Sequence, residues 1–501
     1  MAQVVDPKRW RALVFIALAQ LMVVLDATVV NIALPSAQHD LGFTDGSRQW
    51  VITAYTLAFG GLLLFGGRLA DLWGRKRTFV VGLLGFAGAS AIGGAAVDTG
   101  MLLGARALQG VFAAMLAPAA LSLLSVMFTD AKERAKAFGV YGAVAGAGAA
   151  VGLILGGVLT EYLSWRWALF INIFFAVAAV AGAFAYIQEP TEGRNRDRLD
   201  MPGVLLATAG LVALVYGFSR AGSDGWTAAV TVGLFCAAVV LLAAFVLVES
   251  RVQAPLLPLR VLTERNRGGV YLSLGLSVIG MFGLFLFLTF YLQTVLDYSP
   301  LRSGFAFLPM VVGMIIGSTQ IGARLMVRVA PRWLMGPGLL LAAVGMAILS
   351  QIRTDSTYAA LLLPGLVLVG LGLGTSFMPA MSLATHGVAP RDTGIASAMV
   401  NTAQQVGGSI GIALLNTIAA TTTSSWIITH AASAPKLGQR EFINAAAVHG
   451  FSIAIWTGAA VVVLSSVIAF VLINTGHQGG PAVPSLEGEV AAKLPVTATA
   501  H

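Results

Sequence analysis

An all-α integral membrane protein is the fold class this sequence predicts, on three observations. Hydrophobic residues make up 57% of 501 positions and charged residues only 10%, against about 25% charged in an average soluble domain. Mean hydropathy is +0.85. The apolar residues gather into fourteen runs, each close to the length a helix rising 1.5 Å per residue needs to cross a core of about 30 Å.

In chain order the runs are residues 12–34, 50–69, 78–97, 101–124, 137–160, 167–187, 201–218, 227–248, 270–292, 304–323, 333–352, 358–381, 393–420 and 449–473. The first follows MAQVVDPKRWRAL, whose basic cluster also describes a signal peptide. Its apolar stretch exceeds the roughly 7–15 residues of a signal core and leads directly into further spans, so an uncleaved first helix is expected. The breaks set the orientation, because positive charge is retained on the cytoplasmic side. One set of alternate loops, with both termini, holds 22 Lys and Arg, the opposite set holds 7, and Arg106 inside a span completes the 30. Both termini are therefore expected in the cytoplasm of a multi-pass protein in the cell membrane. The pI near 9.8 then reflects topology, and no nucleic-acid partner is expected.

Span one carries the most informative residue. It extends roughly 34 Å as a helix and sets Asp26 near mid-membrane. A charge there costs at least about 2.5 kcal/mol, so the acid needs a partner, water or a proton, and a functional role is the default over a buried structural acid. Span four enters near Met101, so Arg106 lies about 8 Å down, and Asp26 lies about 12 Å from the same end of span one. The two match in depth within one helical turn and are proposed as a proton-coupling pair. An arginine at contact distance favours the carboxylate, and separation favours the protonated form. The alternative is that Arg106 bonds only backbone carbonyls.

A second feature is an internal repeat at an offset of about 256 residues, with GRLADLWGRK (Gly67–Lys76) matching ARLMVRVAPR (Ala323–Arg332) and Val327 in place of Asp71. The same offset carries span one onto span nine, which implies two parallel six-helix halves with two spans inserted between them. The expected divisions are 1–190, an N-terminal six-helix bundle; 191–267, two inserted helices with linkers; 268–475, a C-terminal six-helix bundle; and 476–501, a disordered tail rich in Pro and Gly.

Several stretches in this order resemble the fourteen-helix drug/proton antiporter branch of the major facilitator superfamily: LDATVVNIALP (Leu25–Pro35), GGRLADLWGRKR (Gly66–Arg77), GARALQGVFAA (Gly104–Ala114), WRWALFINI (Trp165–Ile173), FYLQTVLDYSPLRSGFAFLP (Phe290–Pro309) and GIASAMVNTAQQVGGSIG (Gly394–Gly411). The resemblance covers Arg11 to Ile473 and implies the major facilitator fold, alternating access and export. Two positions depart from it. Leu153 in GLILGG (Gly152–Gly157) and Phe174 replace prolines of the family pattern, which restores a backbone hydrogen bond and removes a bend.

The loop residues Gly67, Asp71, Gly74, Arg75 and Lys76 are expected to form a conformational latch, the acid capping a helix and the cations meeting helix ends. Plain positive-inside topology explains the cations equally well. Span five repeats small residues at helical spacing, and Gly148, Gly152, Gly156 and Gly157 are expected to let a neighbour approach closely, in the resemblance at the interface between halves. Candidate substrate contacts are Asn31, Tyr55, Phe59, Tyr141, Asn172, Phe282, Phe285, Tyr291, Gln293, Asn401, Gln404 and Gln405, an uncharged aromatic and amide set suited to amphipathic small molecules. About half are expected to survive, since an aromatic in a span more often packs or faces lipid. Glu161, near the outer end of span five, is a second candidate proton or cation site, more readily explained as an interfacial residue beside Trp165.

The composition excludes several classes. One cysteine, Cys236, rules out intrachain disulfides and cysteine metal clusters. No GxxxxGK[ST] segment cradles ATP, and the six histidines form no i, i+4 pair within a span, so neither metal nor haem is expected. A non-enzymatic exporter of hydrophobic or amphipathic drugs results, with no cofactor, a proton gradient as its energy source, protons and the lipid bilayer as partners, and a monomeric state. A proton-coupled nutrient importer is disfavoured by the sparsely charged cavity. A membrane-embedded enzyme or receptor lacks both a reactive constellation at membrane depth and a sizeable extramembrane domain.

Overall fold

In the computed structural model, residues 9–128, 131–187, 200–252, 255, 257, 259–326, 328–385, 393–431 and 438–474 are described, and among them the chain is helical with no strand. Fourteen long helices follow the expected spans in order. They are α1 (Arg9–Leu41), α2 (Asp45–Trp73), α3 (Arg75–Gly94), α4 (Thr99–Met127), α5 (Ala131–Tyr162), α6 (Trp167–Tyr186), α7 (Met201–Asp224), α8 (Ala229–Glu249), α9 (Arg265–Phe290), α10 (Pro300–Ile316), α11 (Arg332–Leu349), α12 (Leu363–Thr385), α13 (Thr393–Thr429) and α14 (Gln439–Leu472). Twelve of them are long and apolar enough to cross a membrane, judged on the described residues. The other two, α2 and α5, have the length, at 29 and 32 residues. The expected tail, Val327 and Arg391 lie outside the described residues.

Polar residues at the breaks start and stop the helices. Thr44, Asp98, Asp200 and Ser299 each accept a hydrogen bond from a backbone N–H in the first turn of α2, α4, α7 and α10, satisfying donors that a helix start leaves open. Pro300 opens α10, where its missing N–H costs nothing. Between α2 and α3 a single residue makes the turn, Gly74 at φ +110°, a conformation that side-chain-bearing residues rarely adopt. Several helices overrun the span they were expected to fill. α1 has 33 residues and α13 has 37, beyond the roughly 20 a hydrocarbon core requires, so their polar ends stand outside it.

The two halves pack alike. In the first, α1 packs on α5 and α6, α3 on α4 and α6, and α2 on α4; in the second, α9 packs on α13 and α14, α11 on α12 and α14, and α10 on α12. The halves meet along two seams, α5 against α10 and α2 against α13. At the face opposite the chain termini, here the distal face, the two halves are bonded together. Gln293 Nε2 donates to the Ile32 carbonyl at 3.0 Å, Arg48 Nη2 to Asn416 Oδ1 at 3.3 Å, and the Leu301 N–H to Glu161 Oε2 at 3.0 Å. Deeper in, Thr56 and Ser409 share a hydrogen bond of 2.8 Å.

The inserted pair has a defined place. α7 lies across the α2–α13 seam and touches both sides, and α8 packs on α7. Gln49 Nε2 and Trp50 Nε1 of α2 both donate to Ser219 Oγ, at 3.0 and 3.1 Å, while Thr417 Oγ1 of α13 donates to the Phe218 carbonyl at 2.9 Å. Leu57, Val215 and Ala413 form a small apolar cluster at the same junction.

Candidate functional site

Asp26 lies midway along α1 and is fully buried, and Arg106 of α4 is 1% exposed. Arg106 Nη1 meets Asp26 Oδ2 at 2.6 Å. Around this pair, five of the first six helices contribute. Gln109 Nε2 of α4 donates to Asp26 Oδ1 at 3.0 Å, Asn172 Nδ2 of α6 donates to the same oxygen at 2.8 Å, and both amides reach Ser90 Oγ of α3, at 2.7 and 3.3 Å. Arg106 also donates to Gln109 Oε1 at 2.7 Å and, through Nε, to the Val51 carbonyl of α2 at 3.0 Å. The Tyr55 ring of α2 lies 4.4 Å from the guanidinium carbon, close enough for a cation–π contact. Removing two charges from water is costly unless their remaining hydrogen-bonding capacity is met. Here three donors converge on one carboxylate, and the two amides bridge the charged pair to the neutral wall.

Sequence reasoning missed two members of this cluster. Gln109 was within reach, since it falls three residues after Arg106 and so on the same helix face. Ser90 gives no signal, standing alone among glycines and alanines. The pair lies inside the first bundle and is not open to the space between the halves.

The candidate substrate contacts separate into groups. Asn172 belongs to the Asp26 cluster and not to a cavity wall. Tyr291 is buried with its hydroxyl donating to the Arg353 carbonyl at 2.6 Å, and Gln293 donates to the Ile32 carbonyl of α1 at the distal face. These three were expected to line the cavity because aromatics and amides look alike in sequence whether they meet a ligand or a backbone carbonyl. Tyr55 and Phe59 are buried with ring centroids 5.7 Å apart, and Tyr141 donates to Gln20 Oε1 at 2.5 Å. Asn31 is buried with Oδ1 lacking a hydrogen-bond partner, as does Oε1 of Gln405, whose Cβ abuts Gly60 across the α2–α13 seam. Phe285 stacks on Phe307 at 5.0 Å. Phe282 and Asn401 are partly buried on α9 and α13. Gln404 lines a cavity of about 70 Å³ in the second half, with Ser277, Met281, Met314, Met335 and Phe377. That volume is well below the roughly 300 Å³ of a drug-sized site. A wider cleft of about 600 Å³ opens at the distal face around Trp426, His430 and His449.

At the proposed latch, Lys76 Nζ donates to the Ile187 carbonyl at 2.6 Å, placing a cation on the negative end of α6. Gly67 rests against Pro118, Arg75 is half-buried at the start of α3, and the Asp71 side chain lies outside the described residues. The glycines of α5 divide by face. A Cβ on Gly148, Gly152 or Gly156 would meet Leu21, Thr28 or Val29 of α1 at 3.0 Å or less, whereas one on Gly157 would lie 2.5 Å from Leu301 Cα of α10. α5 does lie at the interface between halves, but three of its four glycines hold it to α1 within one half, and Gly157 faces the other.

Comparison with known proteins follows the same lines. Residues 16–412 match the Major Facilitator Superfamily model. The chain is 55% identical over 472 residues to the puromycin resistance protein pur8 of Streptomyces alboniger, covering 94% of this chain and 92% of that protein. It is 40% identical over 415 residues to the cephamycin export protein CmcT of Amycolatopsis lactamdurans, covering 82% and 85%. The tetracenomycin C resistance and export protein of Streptomyces glaucescens shares 33% over 434 residues, covering 86% and 80%. Among solved structures, a bacterial homolog of the human lysosomal transporter Spinster, inward-facing and unoccupied, aligns with a TM-score of 0.66 at 16% identity over 93% of this chain and 97% of that one. The POT family transporter PepTSo aligns at 0.65 and 14% identity, over 92% and 97%. These two share the fold alone, whereas the family match and the three close relatives show that this chain belongs to the Major Facilitator Superfamily of membrane transporters.

Proposed function

We propose that the protein exports hydrophobic or amphipathic antibiotics across the cell membrane in exchange for protons, with both termini in the cytoplasm. The observation that carries the exchange step is the Asp26–Arg106 pair, a 2.6 Å ion pair sealed inside the first bundle. When Asp26 accepts a proton, Arg106 is left a buried cation without its counter-ion, a state several kcal/mol less favourable than the pair. That imbalance biases the helices holding the two groups toward a second arrangement, and release of the proton resets it. The relatives named for resistance to or export of puromycin, cephamycin and tetracenomycin C support the substrate class. In the arrangement described here the distal seams are closed, so with cytoplasmic termini it is the state shut to the outside.

The test is ethidium accumulation in cells making the protein. Wild type lowers accumulation and a protonophore restores it. Asp26→Asn reaches the membrane in equal amount and abolishes gradient-driven efflux; full efflux by that variant removes the acid from the mechanism.

A further inference from the structure

The hydrogen bonds at Asp26 all run one way. Arg106 Nη1, Gln109 Nε2 and Asn172 Nδ2 donate to it at 2.6, 3.0 and 2.8 Å, and none of these nitrogens can accept. Such a site fits a carboxylate. A carboxylic acid in the same place carries an O–H that must find an acceptor or remain buried and unpaired, which is unfavourable. One acceptor stands in reserve. Asn172 Oδ1 is buried and has no hydrogen-bond partner, and it belongs to the same amide that now presents its nitrogen to Asp26. The terminal torsion of asparagine is broad and roughly two-fold, so a half-turn exchanges the two atoms without moving the backbone.

Other acceptors are less well placed. The Tyr55 hydroxyl is buried and without a hydrogen-bond partner, but no hydrogen bond joins it to Asp26, and Ser90 Oγ already receives Gln109 and Asn172. Among the described residues, the charged or titratable groups set around Asp26 are Arg106 from α4 and Tyr55 from α2. α3 and α6 present the neutral Ser90 and Asn172, and α5 packs Gly152 on the neighbouring Thr28.

We propose that Asn172 is a positioning residue that reads the protonation state of Asp26, donating through Nδ2 to the carboxylate and, after a half-turn of its amide, accepting through Oδ1 from the acid. The proton enters from water onto a carboxylate oxygen of Asp26, and no other bond is made or broken. The turned amide meets the new O–H while Arg106 gives up its counter-ion. The step rests on the proton coupling proposed above and supplies a means by which the acid, once formed, persists long enough for the halves to move.

Infrared difference spectroscopy of the full chain in liposomes, titrated in pH, tests it, with Asp26→Asn assigning the band of the protonated acid. Asn172→Leu, which can neither donate nor accept, moves that band to higher frequency. Asn172→Ser, which can do both, keeps it near the wild-type position, and Tyr55→Phe leaves it unchanged. In the same liposomes Asn172→Asp moves the pH profile of ethidium–proton exchange up by about 1 unit or more, because a second carboxylate accepts from the acid and disfavours two charges in one site. Elution as a single species checks that each variant is folded. The proposal is overturned if the band stays in place in Asn172→Leu, or if it moves in Tyr55→Phe instead. Ethidium–proton exchange in wild type with no band lost in Asp26→Asn overturns Asp26 as the coupling acid, and the Asn172 step with it.

Discussion

Asp26 and Arg106 are each expensive alone and tolerable together. Arg106→Leu leaves a buried carboxylate with only its two amide donors, and breaking a buried pair in this way costs about 3–5 kcal/mol. We expect a corresponding fall in thermal stability in detergent. The double variant Asp26→Asn, Arg106→Leu should lose clearly less than the sum of the two single changes, because the groups are in contact; additive losses would mean that they do not interact. Both residues were legible in the sequence because a charge in a long apolar run stands out and because helical rise converts position into depth. The amides were harder. Asn172 reads identically as a ligand contact and as a carboxylate donor, since which helix lies opposite α6 is a tertiary fact.

Among the elements, α5 shows how one helix serves two purposes. Gly152 packs against Thr28 of α1, where an added Cβ would fall 1.8 Å from Oγ1, and Gly157 packs against α10, with Leu153 and Gly304 completing the contact. In a Cys236→Ser background with Gln293→Cys as reporter of the bond between α1 and the second half, Gly157→Val should raise labelling at the distal face by an impermeant thiol reagent. Gly152→Val should lower stability without that increase. Equal labelling in the two variants would contradict the division of faces. The regular small-residue spacing of α5 was visible beforehand, but spacing does not say which neighbour each glycine admits.

Helix starts were more readable. At α9, Glu264 accepts the N–H groups of Asn266 and Arg267 at 3.1 and 2.9 Å and the Asn266 side chain at 2.8 Å. Partial burial works against the charged form, but the backbone N–H of Arg267, then that of Asn266, outweigh it and hold the carboxyl below the usual range. A depressed carboxyl adds stability above the ordinary carboxylate pKa and loses it as pH falls through the lowered value. Glu264→Ala should therefore lower stability at neutral pH, by about 1 kcal/mol if it behaves as a typical cap, read as a lower melting temperature. The gap from wild type should close in acid, and a gap independent of pH would rule out the charged cap.

For the whole molecule, alternating access requires the α2–α13 and α5–α10 seams to open and close in turn. Thr56 and Ser409 are 2.8 Å apart across the first, so Thr56→Cys with Ser409→Cys in a Cys236→Ser background should form a disulfide that stops ethidium efflux, reversibly on reduction. Continued efflux with the bond formed would exclude movement at that level of the seam. The order of the helices followed from hydropathy, because crossing a bilayer fixes length and apolarity, with twelve of the fourteen apolar enough to cross among the described residues. The place of α7 did not, because its neighbours are chosen by packing that composition does not encode.

That place also bears on how an oily compound could arrive. Dissolved in one leaflet, it would drift toward any cleft between the halves that opens sideways to lipid. Along the α2–α13 side α7 stands in the way, hydrogen-bonded to α2 through Ser219 and to α13 through the Phe218 carbonyl. If the protein exports such compounds, α7 is expected to bar lateral entry on that flank while these contacts hold, leaving the opposite flank or the aqueous mouth.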